Sequence, residues 1–394
     1  MITKPHNIYI HVPFCIKKCN YCAFYSSACS TPDWESYKNQ ILSEVNFWAK
    51  KLGRIAVPTI FFGGGTPSLM PTEIFSEIIT ALRENFNIAP DAEITIEANP
   101  GTINALRLQE FIAAGVNRIS IGVQSLRDEE LKFLGRIHNV ADARKLIVDA
   151  QNAGIRVSAD FIYGLPGQTA QDIRTMCRDI NALGLEHCSM YELSIEPDTA
   201  LGRGGVYPPD NELAAQMYET IGETLNLPRY EVSNYGAPCK HNANVWDGQP
   251  YLGLGNGAAG RVLMDEEWKA TQIGNGKLKI ENLSHRERAL EMLLTGLRTT
   301  RGVLLTSEIQ ELIDWEFLAS LVKGGRDFLI EPEAKLENPG GLSCKHKQNS
   351  NPPRVANFAD AQQANSCPPL TSGANRLIAK NFLLLDNLIV RLLR

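Results

Sequence analysis

The stretch "YIHVPFCIKKCNYCAFYS", residues 9–26, begins as an apolar, strand-like run and breaks into Cys15, Cys19 and Cys22 with the spacing C-x3-C-x2-C. Three thiolates so spaced can wrap a cubane of iron and sulfide while one iron keeps no protein ligand and stays open to a small molecule. A structural zinc site would need a fourth ligand, which Cys29 or His11 could supply. Three thiols that hold nothing are the third reading. The spacing alone leaves all three open, although in a chain of this size clustered cysteines hold a metal more often than they form disulfides.

Outward from this stretch, short β-branched runs alternate with helix-like segments. Strands are expected at "NIYIHV", "PTIFF", "EITIEA", "NRISIGV", "VSADFIYG" and "HCSMYELSI", and helices from about Asp33 and after Pro71 and Thr102. Helix starts are marked by Thr31-Pro32-Asp33, by Pro71-Thr72-Glu73 and by Asn139 with Asp142, which offer caps, an early proline or an acidic first turn. The alternation predicts a parallel sheet with crossover helices. Six strands before about residue 195 suffice for an open or partial (β/α) barrel, and no eighth strand closes it.

Parallel α/β architectures carry their chemistry at the C-terminal ends of strands. The cysteines follow the first strand, "GGGTPS" (63–68) the second, Glu97 the third and Gln124 the fourth, with Asp160 near the fifth. Polar and glycine-rich features therefore recur at one edge of the sheet.

Composition narrows the class further. The 394 residues are 44% hydrophobic with a net charge of -5, and no block of lysine and arginine stands out. A nucleic-acid partner is not expected. The opening "MITKPHNIYIHVPF" has no basic region leading into an apolar run, and no segment approaches the roughly 20 apolar residues of a membrane span. A soluble, cytoplasmic protein is expected.

The set "YIHVPFC", "FFGGGTPS", "IEANPG", "AGVNRISIGVQS", "LGRIHN" and "YGLPGQT" resembles the radical S-adenosylmethionine superfamily, within it the branch of the oxygen-independent coproporphyrinogen III oxidase and the HemW-type haem chaperones. The resemblance covers about residues 7–300. It implies a partial (β/α) barrel in which Cys15, Cys19 and Cys22 ligate a 4Fe-4S cluster. The methionine end of S-adenosylmethionine would chelate the open iron. Gly65, Thr66 and Pro67 would lie against that cofactor, Glu97, Gln124, Arg136 and Asp160 would contact it, and Tyr9 and Tyr21 would flank its pocket. From the residues alone, Arg136 and Asp160 could equally be a surface ion pair, which is worth little.

Two details divide the branch. The oxidase carries a further cysteine two residues after the third, where this chain has Phe24, as the chaperones do. The chaperone motif HNxxYW is matched by His241, Asn242 and Trp246, with Val245 in place of tyrosine, and a later histidine is replaced by Ala259. His241 is thus a candidate haem ligand, although a histidine beside a tryptophan is more often a packed, hydrogen-bonded residue. The resemblance implies a chaperone that binds haem and passes it to acceptor haemoproteins, membrane-bound respiratory enzymes among them, with an electron donor and a homodimer left open; the alternative is oxidative decarboxylation of coproporphyrinogen III.

The expected organisation is a core barrel over 1–235, an extension with the HN motif over 236–283 and a mainly helical, winged-helix-like accessory domain over 284–394. Within the last, 333–374 reads as a disordered insertion, rich in Asn, Pro, Ser and Gln, and its Cys344, His346 and Cys367 are not expected to form a metal site. The apolar segment 381–393 is too short to span a bilayer.

Overall fold

The computed structural model describes residues 4–314, 328–332 and 375–379. The chain divides into two compact units, the first made of Met1–Arg229, Ser233–Val245 and Gln249–Leu283, the second of Tyr230–Val232, Trp246–Gly248 and Ser284–Arg394.

The first unit is organised by one sheet of 11 strands. Its centre is β1 (Asn7–Val12), β2 (Ala56–Gly64), β3 (Asn87–Ala98), β4 (Arg118–Gln124), β5 (Arg156–Tyr163) and β6 (His187–Glu192), all parallel and in chain order. These are the six strands that the sequence predicts. Parallel strands covered on both faces read as near-continuous apolar runs, and Ile8, Ile10 and Val12 of β1 are fully buried. One edge ends in β7 (Asn234–Gly236), antiparallel to β6. On the other side β8 (Tyr251–Leu254) pairs parallel with β1, and β9 (Ala259–Met264), β10 (Glu267–Gly274) and β11 (Lys277–Asn282) follow as antiparallel hairpins. The strands within 236–283 therefore extend the same sheet. Both hairpin turns have two central residues at positive φ, Asp265 and Glu266 in one, Asn275 and Gly276 in the other. That geometry matches the right-handed twist of the flanking strands.

Two of the connecting helices begin at residues read as caps, Asp33 and Asn139. Helix α1 (Trp34–Leu52) starts at Asp33, whose carboxylate accepts the Ser36 N–H at 2.9 Å. Helices α2 (Thr72–Asn85) and α3 (Ala105–Ala114) follow, and α4 (Val140–Asn152) opens with a reciprocal capping box of Asn139 and Asp142. The same device, Thr169 with Asp172, opens α5 (Ala170–Asn181). A short helix, α6 (Lys240–Trp246), carries the HN motif.

In the second unit, α7 (His285–Leu297) and α8 (Ser307–Leu312) accompany a three-stranded antiparallel sheet of β12 (Val303–Leu304), β13 (Phe328–Pro332) and β14 (Asn375–Ala379), with β14 in the middle. Leu293, Leu297, Ile309, Ile313 and Leu377 form its fully buried core. The described residues are thus mixed α and β where a mainly helical domain was expected. The insertion expected at 333–374, with Cys344, His346 and Cys367, and the apolar segment 381–393 lie outside the described residues. Among the described residues no helix is long and apolar enough to cross a membrane.

Candidate functional site

A cavity of about 380 Å³ opens at the C-terminal ends of the parallel strands. Cys15, Cys19 and Cys22 line it together with Tyr21, Gly65, Thr66, Pro67, Glu97, Gln124, Arg136 and Asp160. The fold therefore gathers into one place eleven of the thirteen residues that sequence reading singled out. Tyr9 and His241 do not line it.

The loop after β1 is held by its neighbours. Asn20, between two of the cysteines, donates its backbone N–H to Leu134 O at 2.9 Å and its side-chain amide to Phe133 O at 2.7 Å. Gly65 is pressed against the same loop. Its N–H donates to Val12 O at 2.7 Å, and a Cβ there would lie 2.7 Å from Phe14 O and 3.0 Å from Cys15 Sγ. The glycine that sequence reading gave to close approach by a cofactor is thus already required by the chain's own close approach.

The polar side chains then converge. Thr66 donates its hydroxyl to Cys15 Sγ at 3.6 Å, and Arg136 donates to Cys19 Sγ at 3.3 Å and to Gly122 O at 2.7 Å. Gln124 ends β4 at φ 68, left-handed for a residue other than glycine, where the register with β5 shifts. Such strain concentrates at functional sites. Asp160 lies within β5 rather than at its end, and accepts from Ser120 at 3.2 Å, so it is no surface partner of Arg136. Glu97 accepts the Gly64 N–H at 3.0 Å, and burial, reinforced by the negative Asp160, pushes its carboxyl up to about 8. Burial likewise raises Asp160, opposed by its hydrogen bond from Ser189 and by Arg118. Two crowded carboxyls beside a guanidinium make a receptor for a ligand bearing both an ammonium and a carboxylate.

The cysteines fit an iron–sulfur cluster. All three are free thiols, and two receive hydrogen bonds of the kind that stabilise bound thiolates. Burial raises the Cys22 thiol, with its sister cysteines adding to the effect, so cationic iron would relieve it. The zinc reading lacks its fourth ligand in His11, whose Nδ1 is engaged by Tyr9 OH at 2.9 Å and Nε2 by Tyr25 O at 2.7 Å. Among the described residues no three His, Cys, Asp or Glu side chains are grouped so as to hold a single ion. Cys177 and Cys188 are fully buried elsewhere, and burial pushes both thiols up to about 12.

Tyr9 stacks on Phe61 with centroids 6.2 Å apart, behind the cavity wall. His241 lies at the N-terminal side of the sheet. It is 4% exposed, its Nδ1 is 2.8 Å from Thr59 Oγ1, its N–H donates to Glu93 at 3.0 Å and its ring packs 5.2 Å from Phe61. Burial, with the charge of Arg118, lowers its pKa to about 3, so the ring is neutral.

The family model of the radical SAM superfamily matches residues 9–180. Heme chaperone HemW of Escherichia coli (strain K12) is 40% identical over 267 residues, 66% of this chain and 70% of that protein. Heme chaperone HemW of Haemophilus influenzae is 32% identical over 358 residues, 85% of this chain and 92% of that one. The chain belongs to the HemW family of the radical SAM superfamily. The solved structure of coproporphyrinogen III oxidase (HemN) from Escherichia coli superposes with a TM-score of 0.74 at 20% identity, covering 99% of this chain and 90% of that one, and so shares the fold. For a HemW family member, sequence reading missed Asn99, Ser120, Gly122, Tyr191 and Glu192 in the cavity wall. Asn99 was within reach, because it follows Glu97 by two residues in the strand-end run "EANPG".

Proposed function

We propose that this protein binds haem and passes it to acceptor haemoproteins, while a 4Fe-4S cluster and S-adenosylmethionine occupy the cavity at the strand ends. The observation that carries this reading is the match to proteins named heme chaperone HemW, which extends over 92% of the length of the Haemophilus influenzae protein. Phe24 supports it, since it lies in the cavity wall where the oxidase has a further cysteine. Cys15, Cys19 and Cys22 would hold the cluster. Arg136 would take the carboxylate of S-adenosylmethionine, Glu97 and Asp160 its amino group or ribose hydroxyls, and the backbone of Gly65, Thr66 and Pro67 its methionine chain. When bound, the cluster supplies single electrons and one open iron. With the cluster and S-adenosylmethionine in this cavity of about 380 Å³, haem would bind elsewhere.

Ligation of haem by His241 would require opening the contacts with Thr59, Glu93 and Phe61, so its imidazole is better read as part of the barrel floor. The acceptors this reading implies are haemoproteins, membrane-bound respiratory enzymes among them.

The test is anaerobic reconstitution followed by haem titration and transfer to an apo-haemoprotein. A saturable Soret band that moves to the acceptor is expected. A preparation that binds no haem but converts coproporphyrinogen III to protoporphyrinogen would overturn the reading in favour of the oxidase.

A further inference from the structure

Asn99 makes two hydrogen bonds that together reach two of the three cysteines. Its Nδ2 donates to Thr66 Oγ1 at 3.0 Å, and the Thr66 hydroxyl donates onward to Cys15 Sγ at 3.6 Å. Its Oδ1 accepts from Nη2 of Arg136, whose Nη1 donates to Cys19 Sγ at 3.3 Å. The chemistry fixes the direction of each bond. A guanidinium only donates, so the amide oxygen must face Arg136 and the amide nitrogen must face Thr66. A hydroxyl has one hydrogen, so a Thr66 oxygen that accepts from Asn99 is free to aim that hydrogen at Cys15, and linked hydrogen bonds of this kind polarise and strengthen one another. Aspartate could not replace it, because a carboxylate has no proton for Thr66.

The neighbourhood is built around this amide. A Cβ on Gly122 would lie 2.8 Å from Asn99 Oδ1, 2.9 Å from Gln124 Nε2 and 3.2 Å from Arg136 Nη2, so any side chain at this point of β4 would displace the polar ends of all three. Thr66 is 3% exposed, which keeps water from competing for its hydroxyl.

We infer that Asn99 is a positioning residue that aims the Thr66 hydroxyl and the Arg136 guanidinium at the sulfurs of Cys15 and Cys19 and thereby raises the reduction potential of the cluster. The inference rests on the cluster assignment above. Hydrogen bonds to ligand sulfur favour the reduced, more negative cluster, so their loss makes reduction harder.

The experiment is a redox titration of the reconstituted protein followed by electron paramagnetic resonance, with iron and sulfide measured on the same samples. Asn99→Ala should keep a full cluster while its midpoint falls, with about a tenfold loss in the reduction equilibrium, or about 59 mV for one electron. Thr66→Val, which deletes one donor without changing charge, should also lower the midpoint, and adding it to Asn99→Ala should lower it by less than it does in the wild type. If Asn99→Ala does not retain a cluster, Asn99→Ser, which stays polar but is too short to reach both Thr66 and Arg136, carries the test with the same expected fall in midpoint. Midpoints equal to wild type in a fully loaded variant overturn the inference. A wild-type protein that assembles no cluster overturns the cluster assignment instead.

Discussion

The two ends of the parallel strands are built from similar residues and differ in what those residues have left to bind. At the floor, Glu93 accepts from the backbone N–H of Lys240 at 3.1 Å and of His241 at 3.0 Å, and from Arg156 at 2.8 Å. Thr59 donates to Asn7 at 2.8 Å, and Asn244 donates to the same oxygen at 2.9 Å. The protein supplies these partners itself. At the strand ends, Arg136 keeps a buried Nε with no partner among the described residues, Glu97 and Asp160 crowd each other, and Gln124 holds a left-handed backbone. Buried polar groups are normally satisfied, so an under-used guanidinium donor beside crowded acids marks a place where a ligand completes the count. A histidine in a recognisable motif is no such mark when its neighbours already enclose it.

The largest effect expected is the loss of the metal centre. Cys15→Ala, Cys19→Ala or Cys22→Ala should each abolish stable cluster assembly, while Cys177→Ala and Cys188→Ala should leave iron and sulfide content unchanged. An undiminished cluster in Cys22→Ala would break the contrast at the strand ends.

Next in size is the floor. Glu93→Gln removes the charge that Arg156 and two backbone amides face. A buried pair broken on one side costs about 3–5 kcal/mol, and because Arg156 is 32% exposed the expected loss is about 2–3 kcal/mol, read from the denaturant midpoint. A change below 0.5 kcal/mol would show that the floor is not held as described.

His241→Ala sharpens the comparison further. It should cost about 1–3 kcal/mol through the lost hydrogen bond and packing, and leave the Soret band of bound haem unchanged. The sign of the pH effect follows from its depressed pKa. The folded protein keeps His241 neutral down to about 3, whereas the unfolded chain takes up a proton below 6.5, so its contribution to stability is complete above 6.5 and is lost as the pH falls towards 3. Wild type should therefore lose stability between pH 6.5 and 4 more steeply than His241→Gln, by up to about 1.4 kcal/mol per pH unit for one proton. Parallel stability curves would refute this, and a Soret band lost in His241→Ala with the fold intact would return the residue to haem.

The smallest effect belongs to Phe24. The side chain is 68% exposed, so Phe24→Ala should change stability by no more than about 0.5 kcal/mol. In the reconstituted wild type no conversion of coproporphyrinogen is expected, and robust decarboxylation would favour the oxidase.

Much of this architecture was legible because local signals agreed with the global fold. Asp33 and Asn139 mark helix starts as written, and the six β-branched runs become the six central strands. The hairpins over 259–282 went unread although Asn275-Gly276 is a strong turn signal. The union of β8 with β1 could not be read locally, since it joins Asn7 to Tyr251 with no nearby cue. The same limit applied to the site. Strand-end position pointed to the cysteines, the glycine-rich turn, Glu97, Gln124 and Asp160, and the family resemblance added Tyr21 and Arg136, but the placement of His241 depended on Glu93 and Thr59, which lie far away in sequence and belong to no motif.

The pairing of β8 with β1 sets a timetable for synthesis. Until residue 254 has left the ribosome, the strand that leads into Cys15 has β2 on one side and a bare edge on the other. Exposed edges invite pairing with other chains. A strand made well before its partner β8 is thus covered late, so any event that stalls translation between β6 and β8 leaves the metal-binding loop hanging from an uncovered edge.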